Sequence, residues 1–279
     1  MNKKIGFILV LVLIAFLVMG TVSAGLFDFL GGGSNNNTPK VANNDTNFIV
    51  GFDAEFPPYG YSNDKGEYVG FDLDLAQEVC NRNNWTLIKQ PIDWDAKDSE
   101  LNSGTIDCIW NGFTINGREN NYTWSEPYID NKQVIIVKAD SGIKSLADLK
   151  GKTVEVQKDS SALSALQGDN KTIADSFGKL VEVADYNTGI MDLESGACDA
   201  VALDEGVAKY QITSGNHSGL VILNETISSE QYGIGFKLGN TDLRDKVQKT
   251  LDEMFEDGTV AKIAQNYTEN GIPDALIHK

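Results

Sequence analysis

Short strand-like runs alternate with helix-like runs from Phe48 onward, and this alternation constrains the fold more than any other feature of the chain. Residues 48–52 are predicted to form a strand, and residues 71–83 carry apolar side chains at helical spacing. Alternating β and α segments are typical of mainly parallel sheets covered by helices on both faces. We therefore predict an α/β fold, whose ligands would bind where strands end at their carboxyl termini.

The same patterns predict the remaining elements. Further strands are expected at 86–88, 106–110, 134–137, 153–156, 181–183, 200–203 and 232–236. Further helices are expected at 96–101, 145–149, 161–166 and 189–194, and across 242–267.

The first 24 residues are predicted to be a targeting segment. Lys3 and Lys4 precede an apolar run over 5–19, and Val22-Ser23-Ala24 has the small-x-small pattern of a cleavage site. The alternative is an N-terminal anchor that stays in the membrane. Residues 25–47 are predicted to be a flexible linker, because they are polar and rich in Gly and Asn. In either case the rest of the chain would lie outside the cytoplasmic membrane.

Charge and cysteine content exclude several classes of function. The net charge of −17 disfavours binding to nucleic acid and to anionic lipid. Three cysteines, Cys80, Cys108 and Cys198, form no C-x-x-C pair, and the two histidines are His217 and His278. We therefore expect neither a metal nor a cofactor, and we expect the cysteines to be small buried side chains.

Four predicted strand ends carry polar or aromatic side chains. They are residues 51–59 (GFDAEFPPY), 111–118 (NGFTINGR), 157–161 (QKDSS) and 204–205 (DE). Together they provide both halves of a receptor for a zwitterion. Each half also has a simpler explanation: Arg118 in a surface ion pair, Ser160 as a helix cap, and Asp204 as the cap of a helix starting near Gly206.

One half of this receptor would hold a carboxylate and the other an ammonium group. The guanidinium of Arg118 matches a carboxylate in a bidentate geometry, and backbone N–H groups at Ser160-Ser161 add further donors. An ammonium group requires a carboxylate and neutral acceptors, which Asp204, Thr114 and the carbonyl of Gly112 provide.

Several motifs resemble those of a known family. The sequences GFDLDLA (70–76), GTIDCIWNGFT (104–114), LADLKGK (146–152) and DGT (257–259) are similar to those of extracytoplasmic solute-binding proteins of polar amino acid ABC importers. These are solute-binding proteins of family 3, with the type II periplasmic-binding-protein fold. The resemblance covers nearly all of residues 48–271.

The resemblance implies a two-lobed fold with two hinge-crossing segments. Lobe 1 would comprise residues 48–135 and 234–279, and lobe 2 residues 136–233, with a strand at 134–137 leading out and residues 231–235 leading back. It also implies that Arg118 and the N–H of Ser161 hold the α-carboxylate of an amino acid. Asp204, Thr114 and Gly112 would hold its α-ammonium.

The resemblance further implies which residues meet the ligand's side chain. They are Asp53, Phe56, Tyr59, Asn111 and Phe113, and Lys97 is expected in the same pocket, paired with Asp53 or with an acidic ligand group. Asp159, which replaces a common Gly, is expected to point to solvent. A buried carboxylate at Asp53 favours a polar or basic L-amino acid.

The expected function is capture of this amino acid and its delivery to an ABC permease and ATPase. The protein is expected to act as a monomer, with no catalytic residue of its own. Two alternatives remain open. One is an extracytoplasmic dehydratase-like enzyme on the same fold, and the other is a ligand-sensing subunit.

Overall fold

The computed structural model of the protein describes residues 46–215 and 217–277. The predicted signal peptide, the predicted linker except its last two residues, and His278 lie outside this part. Across the described residues, no helix has both the length and the apolar character that crossing a membrane requires.

Strands and helices alternate along the described chain. The strands are β1 (Asn47–Phe52), β2 (Glu55–Phe56), β3 (Gly60–Ser62), β4 (Tyr68–Val69), β5 (Thr86–Pro91), β6 (Cys108–Ile109), β7 (Thr123–Trp124), β8 (Ile129–Lys138), β9 (Thr153–Gln157), β10 (Lys179–Val183), β11 (Ala200–Asp204), β12 (Leu220–Ile222), β13 (Ser228–Tyr232) and β14 (Gly235–Phe236). The α-helices are α1 (Phe71–Asn83), α2 (Lys97–Ser103), α3 (Ser161–Gln167), α4 (Lys171–Ala174), α5 (Tyr186–Ser195), α6 (Glu205–Thr213), α7 (Thr241–Glu256), α8 (Thr259–Ala264) and α9 (Ile272–Ala275). Short 3-10 segments cover Trp94–Ala96, Leu146–Leu149 and Gln265–Asn270.

Two larger sheets organise these elements. The first has the order β5-β1-β6-β14-β7, with β1 parallel to both β5 and β6 and with β14 antiparallel to its neighbours. The second has the order β10-β9-β11-β8-β12, with β13 also on β8. In it β9 is parallel to β10 and β11, whereas β8 is antiparallel to all its partners. Helices pack on both sheets, as the α/β prediction required.

Strand β8 sets the register of the polar residues described below. It pairs with strands of the second sheet along its whole length, from Ile129 to Lys138. This register places Gln133 opposite Asp204, and Asn131 opposite Glu230. All four side chains are buried. Side chains alternate between the two faces along β8, so Asn131 and Gln133 lie on the same face. Their amide groups there meet the buried carboxylates of Asp204 and Glu230.

Two acidic residues of the predicted motif at 70–76 serve the fold. Asp72 accepts hydrogen bonds from the N–H of Gly112 at 2.6 Å and from the hydroxyl of Tyr128 at 2.8 Å. Asp74 accepts a hydrogen bond from the hydroxyl of Tyr267 at 2.7 Å. The first contact holds the loop after β6 in place, and the second ties α1 to the C-terminal segment.

Most predicted elements are confirmed, within a few residues at their ends. The predicted helix over 71–83 has these bounds in the structure. The predicted strand over 232–236 is instead divided between β13 and β14. A small antiparallel sheet of β2, β3 and β4 was not predicted, because strands of two or three residues carry too little periodicity. Cys80, Cys108 and Cys198 are buried free thiols.

Candidate functional site

A narrow cavity with a free volume of about 10 Å³ lies among the strand ends singled out from the sequence. Its lining consists of Phe56, Trp94, Asn111, Gly112, Thr114, Arg118, Gln157, Ser160, Ser161, Tyr186 and Asp204. This free volume is about that of a single water molecule, so the lining side chains nearly fill the cavity in this conformation. Of the sequence-predicted residues, Asp53, Tyr59, Phe113 and Lys97 are buried around the cavity and do not line it.

Arg118 forms one end of the cavity. Its Nη1 donates to the carbonyl of Thr114 at 3.3 Å, and its Nη2 donates to the carbonyl of Asp159 at 3.0 Å. The guanidinium also lies over the ring of Phe113, with Cζ 5.3 Å from the ring centroid. These contacts fix the plane of the guanidinium. Among the described residues Arg118 forms no salt bridge, so its positive charge is available to bind an anion.

Ser160 and Ser161 lie beside Arg118 at the start of α3. The Oγ of Ser160 accepts a hydrogen bond from the N–H of Leu163 at 3.1 Å, so Ser160 is the helix cap. The Oγ of Ser161 accepts from Nε2 of Gln133 at 2.9 Å. The capping explanation therefore holds for Ser160, while Ser161 connects α3 to the buried amides of β8.

Asp204, the last residue of β11, also lines the cavity. It precedes α6 but makes no capping hydrogen bond, so the capping explanation is wrong for its side chain. Its Oδ1 instead accepts from Nδ2 of Asn131 and from Nε2 of Gln133, both at 2.7 Å, and from the hydroxyl of Tyr232. Burial raises the pKa of Asp204, and the nearby carboxyl of Glu230 raises it further.

A second buried carboxylate, that of Glu230, lies behind Asp204. Its Oε1 accepts from the same amide nitrogens of Asn131 and Gln133, each at 2.8 Å. It also accepts from the hydroxyls of Thr114 at 2.9 Å and Ser161 at 3.1 Å. Within the described residues, neither Asp204 nor Glu230 forms a salt bridge with a basic side chain. This end of the cavity is therefore suited to a cation.

Asp53 connects the two sheets at the edge of the cavity. Its Oδ2 accepts from Nε2 of Gln157 at 2.6 Å, and its Oδ1 accepts from the N–H of Glu55 at 2.8 Å. Burial raises the pKa of Asp53 to about 6, and the hydrogen bonds from Glu55 and Gln157 oppose that rise. Asp53 contacts the ligand cavity through Gln157 rather than lining it.

Lys97 does not pair with Asp53, so this part of the prediction is wrong. Its ammonium pairs with the carboxylate of Asp159 and lies 5.1 Å from the ring centroid of Trp94. Asp159 has a φ of 52°, in the left-handed region, and this turn conformation brings its carboxylate to Lys97. Asp159 was expected to point to solvent. Its side chain is 54% exposed, as expected, but its carboxylate also forms an ion pair with Lys97.

Aromatic rings enclose the cavity. The ring centroid of Phe56 lies 5.7 Å from that of Tyr59 and 5.9 Å from that of Tyr186. Gly112 has a φ of 55°, and a Cβ there would lie 2.8 Å from a ring atom of Phe56 and 3.1 Å from one of Tyr232. The loop after β6 therefore requires glycine at this position.

Two further cavities flank the candidate site. An outer groove adjoins it at Trp94 and is lined by six carboxylates and a lysine, namely Asp53, Glu55, Asp93, Asp95, Glu100, Asp185 and Lys158. A rear cavity lies on the other side of the buried carboxylates, and its walls include Asn131 and Glu230.

Sequence reasoning missed several residues of this site. They are Trp94, Asn131, Gln133, Tyr186, Glu230 and Tyr232. For Asn131 and Gln133 a signal exists: they occupy alternate positions of a strand whose next four residues are wholly apolar. Glu230 carries no such signal, because its environment depends on the pairing of β13 with β8.

The sequence and the fold are similar to those of known proteins. A family profile described as "Bacterial extracellular solute-binding proteins, family 3" matches residues 48–270. The L-cystine-binding protein TcyA of Bacillus subtilis (strain 168) is 30% identical over 221 residues, covering 78% of this chain and 80% of that protein.

Two solved structures are similar in fold and sequence. The substrate-binding protein of an ABC uptake transporter from Streptococcus pneumoniae, with bound histidine, has a TM-score of 0.77 and 29% identity, covering 80% of this chain and 92% of that chain. An ancestral arginine-binding protein bound to arginine has a TM-score of 0.73 and 36% identity, covering 80% and 98%. With the match of the family profile to residues 48–270, these likenesses show that the chain belongs to the bacterial extracellular solute-binding proteins of family 3.

Proposed function

We propose that this protein captures a polar or basic L-amino acid between two lobes and delivers it to an ABC importer. The observation that carries this proposal is the presence of opposite charges in the lining of one small cavity. Arg118 and Asp204 both line it, and among the described residues Arg118 has no carboxylate partner and Asp204 no cationic one. An α-amino acid presents a carboxylate and an ammonium group that complement these two charges.

The residue roles follow from this arrangement. Arg118 and the N–H of Ser161 bind the α-carboxylate, while Asp204, Thr114 and the carbonyl of Gly112 bind the α-ammonium. Asn111, Phe56 and Trp94 border the ligand's side chain, with Tyr59 and Phe113 packed behind them. Relatives whose names record cystine, histidine or arginine support an amino acid as the ligand.

Lobe closure is the proposed mechanism of capture. Residues 48–135 and 234–279 form one lobe and residues 136–233 the other. The ligand binds one lobe first, and closure adds the contacts of the second. Hydrogen bonds from Gln157 to Asp53 and from Arg118 to the carbonyl of Asp159 connect the two proposed lobes.

The remaining parts of the proposal concern location and partners. The protein acts as a monomer outside the cytoplasmic membrane and without a cofactor. A permease and its ATPase receive the ligand and use ATP, and this chain catalyses no reaction. Incubation with the bound amino acid, followed by chromatography of the products, tests the last point, since any turnover would favour the dehydratase-like alternative.

Calorimetric titration tests the proposed ligand class. The protein is unfolded and refolded to remove bound solute, and then titrated with each of the twenty L-amino acids and with L-cystine. We expect one tight ligand or a small set of them, with binding lost in Arg118→Ala and Asp204→Ala. Arg82→Ala, which removes an arginine paired with Glu78 and Asp257 and absent from the cavity lining, serves as the control and should bind like wild type. Absence of binding to the whole panel would refute the proposal.

A further inference from the structure

Glu230 holds an unusual position for a carboxylate. It is 6% exposed, and a single oxygen, Oε1, accepts hydrogen bonds from four side chains. An ionised carboxylate has about four lone-pair sites in total, shared between its two oxygens. Four donors thus converge on an oxygen that has two lone pairs, and Glu230 is the acceptor around which these side chains are arranged.

These contacts determine what the neighbouring hydroxyls can do. Thr114 has one hydroxyl proton, and Glu230 lies 2.9 Å from its Oγ1, closer than the Oγ of Ser161 at 3.2 Å. The proton of Thr114 is therefore directed to Glu230. Its oxygen lone pairs are left for a donor in the cavity.

Glu230 also brings a second negative charge close to Asp204. Oε1 of Glu230 and Oδ1 of Asp204 both lie within 2.8 Å of the amide nitrogens of Asn131 and Gln133. The amide nitrogen of Asn131 has two protons, one for each carboxylate, whereas the two protons of the Gln133 amide are shared among both carboxylates and Oγ of Ser161. Two carboxylates bridged in this way repel each other, and a cation at the cavity side of Asp204 relieves the repulsion.

We infer that Glu230 is a positioning residue for the ligand's α-ammonium. It holds the hydroxyl of Thr114 as an acceptor toward the cavity and supplies the second charge that makes this end selective for a cation. The inference rests on the proposed amino-acid-binding function. It assigns the ammonium group to a pair of carboxylates, where the motifs of the sequence indicated Asp204 alone.

Proton balance follows from the same geometry. Before binding, burial and the nearby Glu230 favour a proton on Asp204. The arriving ammonium keeps its own three protons and replaces that proton, which passes to the solvent. Binding therefore releases protons, and acid weakens it. The burial that raises the pKa of Asp204 supports this direction.

Other charged and phenolic groups surround the pair. They are Tyr59, Tyr186 and Tyr232, Asp53 and Asp72 on the cavity side, Asp130, Lys132, Glu205, Lys209 and Asp274 at the rear cavity, and Arg118 at the far end of the candidate site. Among the described residues, none of these basic groups forms a salt bridge with Asp204 or Glu230.

Calorimetry on Glu230→Gln tests the inference. The twenty L-amino acids and L-cystine are the probes, titrated into wild type and variant between pH 5.5 and 7.5, in two buffers of different ionisation enthalpy. In this variant a neutral amide replaces the carboxylate of Glu230, so one negative charge is lost. The amide N–H groups are donors, as are the hydroxyls of Thr114 and Ser161 that face this position. We expect the tightest probe to bind at least ~30-fold more weakly at pH 7, as expected when one member of a buried charge group is neutralised. Proton release and the pH dependence of affinity should both decrease.

Two further variants separate this role from a structural one. Glu230→Asp keeps the charge and should recover part of the affinity together with proton release. Glu182→Gln removes an exposed charge from β10 of the same sheet and should bind within twofold of wild type. Thermal unfolding of each variant, followed by circular dichroism, checks that it is folded.

Each outcome has one meaning. If wild type binds an amino acid and Glu230→Gln binds it equally well, the role of Glu230 is refuted while the proposed function stands. The same conclusion follows if affinity falls but proton release and pH profile stay as in wild type, since this is the behaviour of a merely structural residue. If wild type binds no probe at all, the proposed function fails and this inference fails with it.

Discussion

The ammonium of Lys97 and the carboxylate of Asp159 form an ion pair that joins α2, which packs on the first sheet, to the turn between β9 and α3 of the second. The Lys97 side chain is 2% exposed, whereas that of Asp159 is 54% exposed. Losing Asp159 would therefore leave a buried charge without a partner, whereas losing Lys97 leaves only a solvated one.

We expect Asp159→Gly to speed dissociation of the bound amino acid about 5- to 10-fold, because the pair holds the two sides together over the cavity. Glycine adopts the φ of 52° at this position without strain, so the variant tests the carboxylate alone. Stopped-flow fluorescence of Trp94, which borders the cavity, measures the rate.

The control for this prediction is Lys171→Met, which breaks the exposed pair between Lys171 and Asp175 on α4. It should leave the dissociation rate unchanged. An unchanged rate in Asp159→Gly as well would show that the ion pair does not hold the cavity closed.

Gly112→Ala should abolish binding. A Cβ at this position would lie 2.8 Å from a ring atom of Phe56, and the φ of 55° disfavours any other residue. Gly117→Ala is the matched control: its φ of 81° imposes a similar backbone strain, but a Cβ there meets no atom within 4 Å. We expect Gly117→Ala to lose about 1 kcal/mol of unfolding free energy and to keep its ligand. Calorimetry and urea unfolding measure the two effects, and equal loss of binding in both variants would assign it to strain rather than crowding.

Asp53→Asn should change which amino acids bind. The carboxylate lies at the boundary between the candidate cavity and the outer groove, where its charge favours a cationic side chain. We expect affinity for L-arginine to fall about 10-fold relative to affinity for L-glutamine, as expected for loss of one partly solvated charge contact. Competition titration with both amino acids measures the ratio. An unchanged ratio would exclude Asp53 from side-chain selection.

The stability of the protein should depend on pH through Asp72. Burial raises the pKa of this carboxyl from 3.8 to about 7, against the hydrogen bonds from Gly112 and Tyr128. A carboxyl whose pKa is higher in the folded protein than in the unfolded chain lowers stability as pH rises through this interval. Wild type should therefore lose unfolding free energy relative to Asp72→Asn between pH 4 and 7, by up to about 1.4 kcal/mol per pH unit.

Urea unfolding at pH 4, 5.5 and 7 checks this difference. Asp64→Asn, which changes an exposed carboxyl in the turn between β3 and β4, is the control and should track wild type. A constant difference between wild type and Asp72→Asn across the three pH values would contradict the prediction.

The sequence predicted the elements that local patterns determine. The apolar stripe of α1 and the serine before α3 each act within one turn of helix, so their positions could be inferred without the fold. The strand ends also indicated Arg118, Thr114, Ser161 and Asp204 as one site, because parallel strands bring their carboxyl ends to the same edge of a sheet, and in the structure such edges of both sheets line one cavity.

What could not be predicted depends on long-range pairing. The partner of Lys97 is 62 residues away, and it was misassigned because nothing local indicates that Asp159 adopts a left-handed turn. The contact between Glu230 and Thr114 spans 116 residues and arises only when β13 pairs with β8. In each case a charged side chain is placed by the register of strands from distant parts of the chain.

The outer groove has a consequence for the rate of capture. Its six carboxylates against Lys158 produce a negative potential in the groove beside Trp94, and this potential extends about one Debye length, ~8 Å at physiological salt. An approaching basic amino acid is turned in this field, because its carboxylate is repelled while its cationic side chain is attracted. The ligand therefore reaches the site already oriented, with its carboxylate away from Asp53. Raising the ionic strength slows capture of basic amino acids and leaves that of neutral ones nearly unchanged.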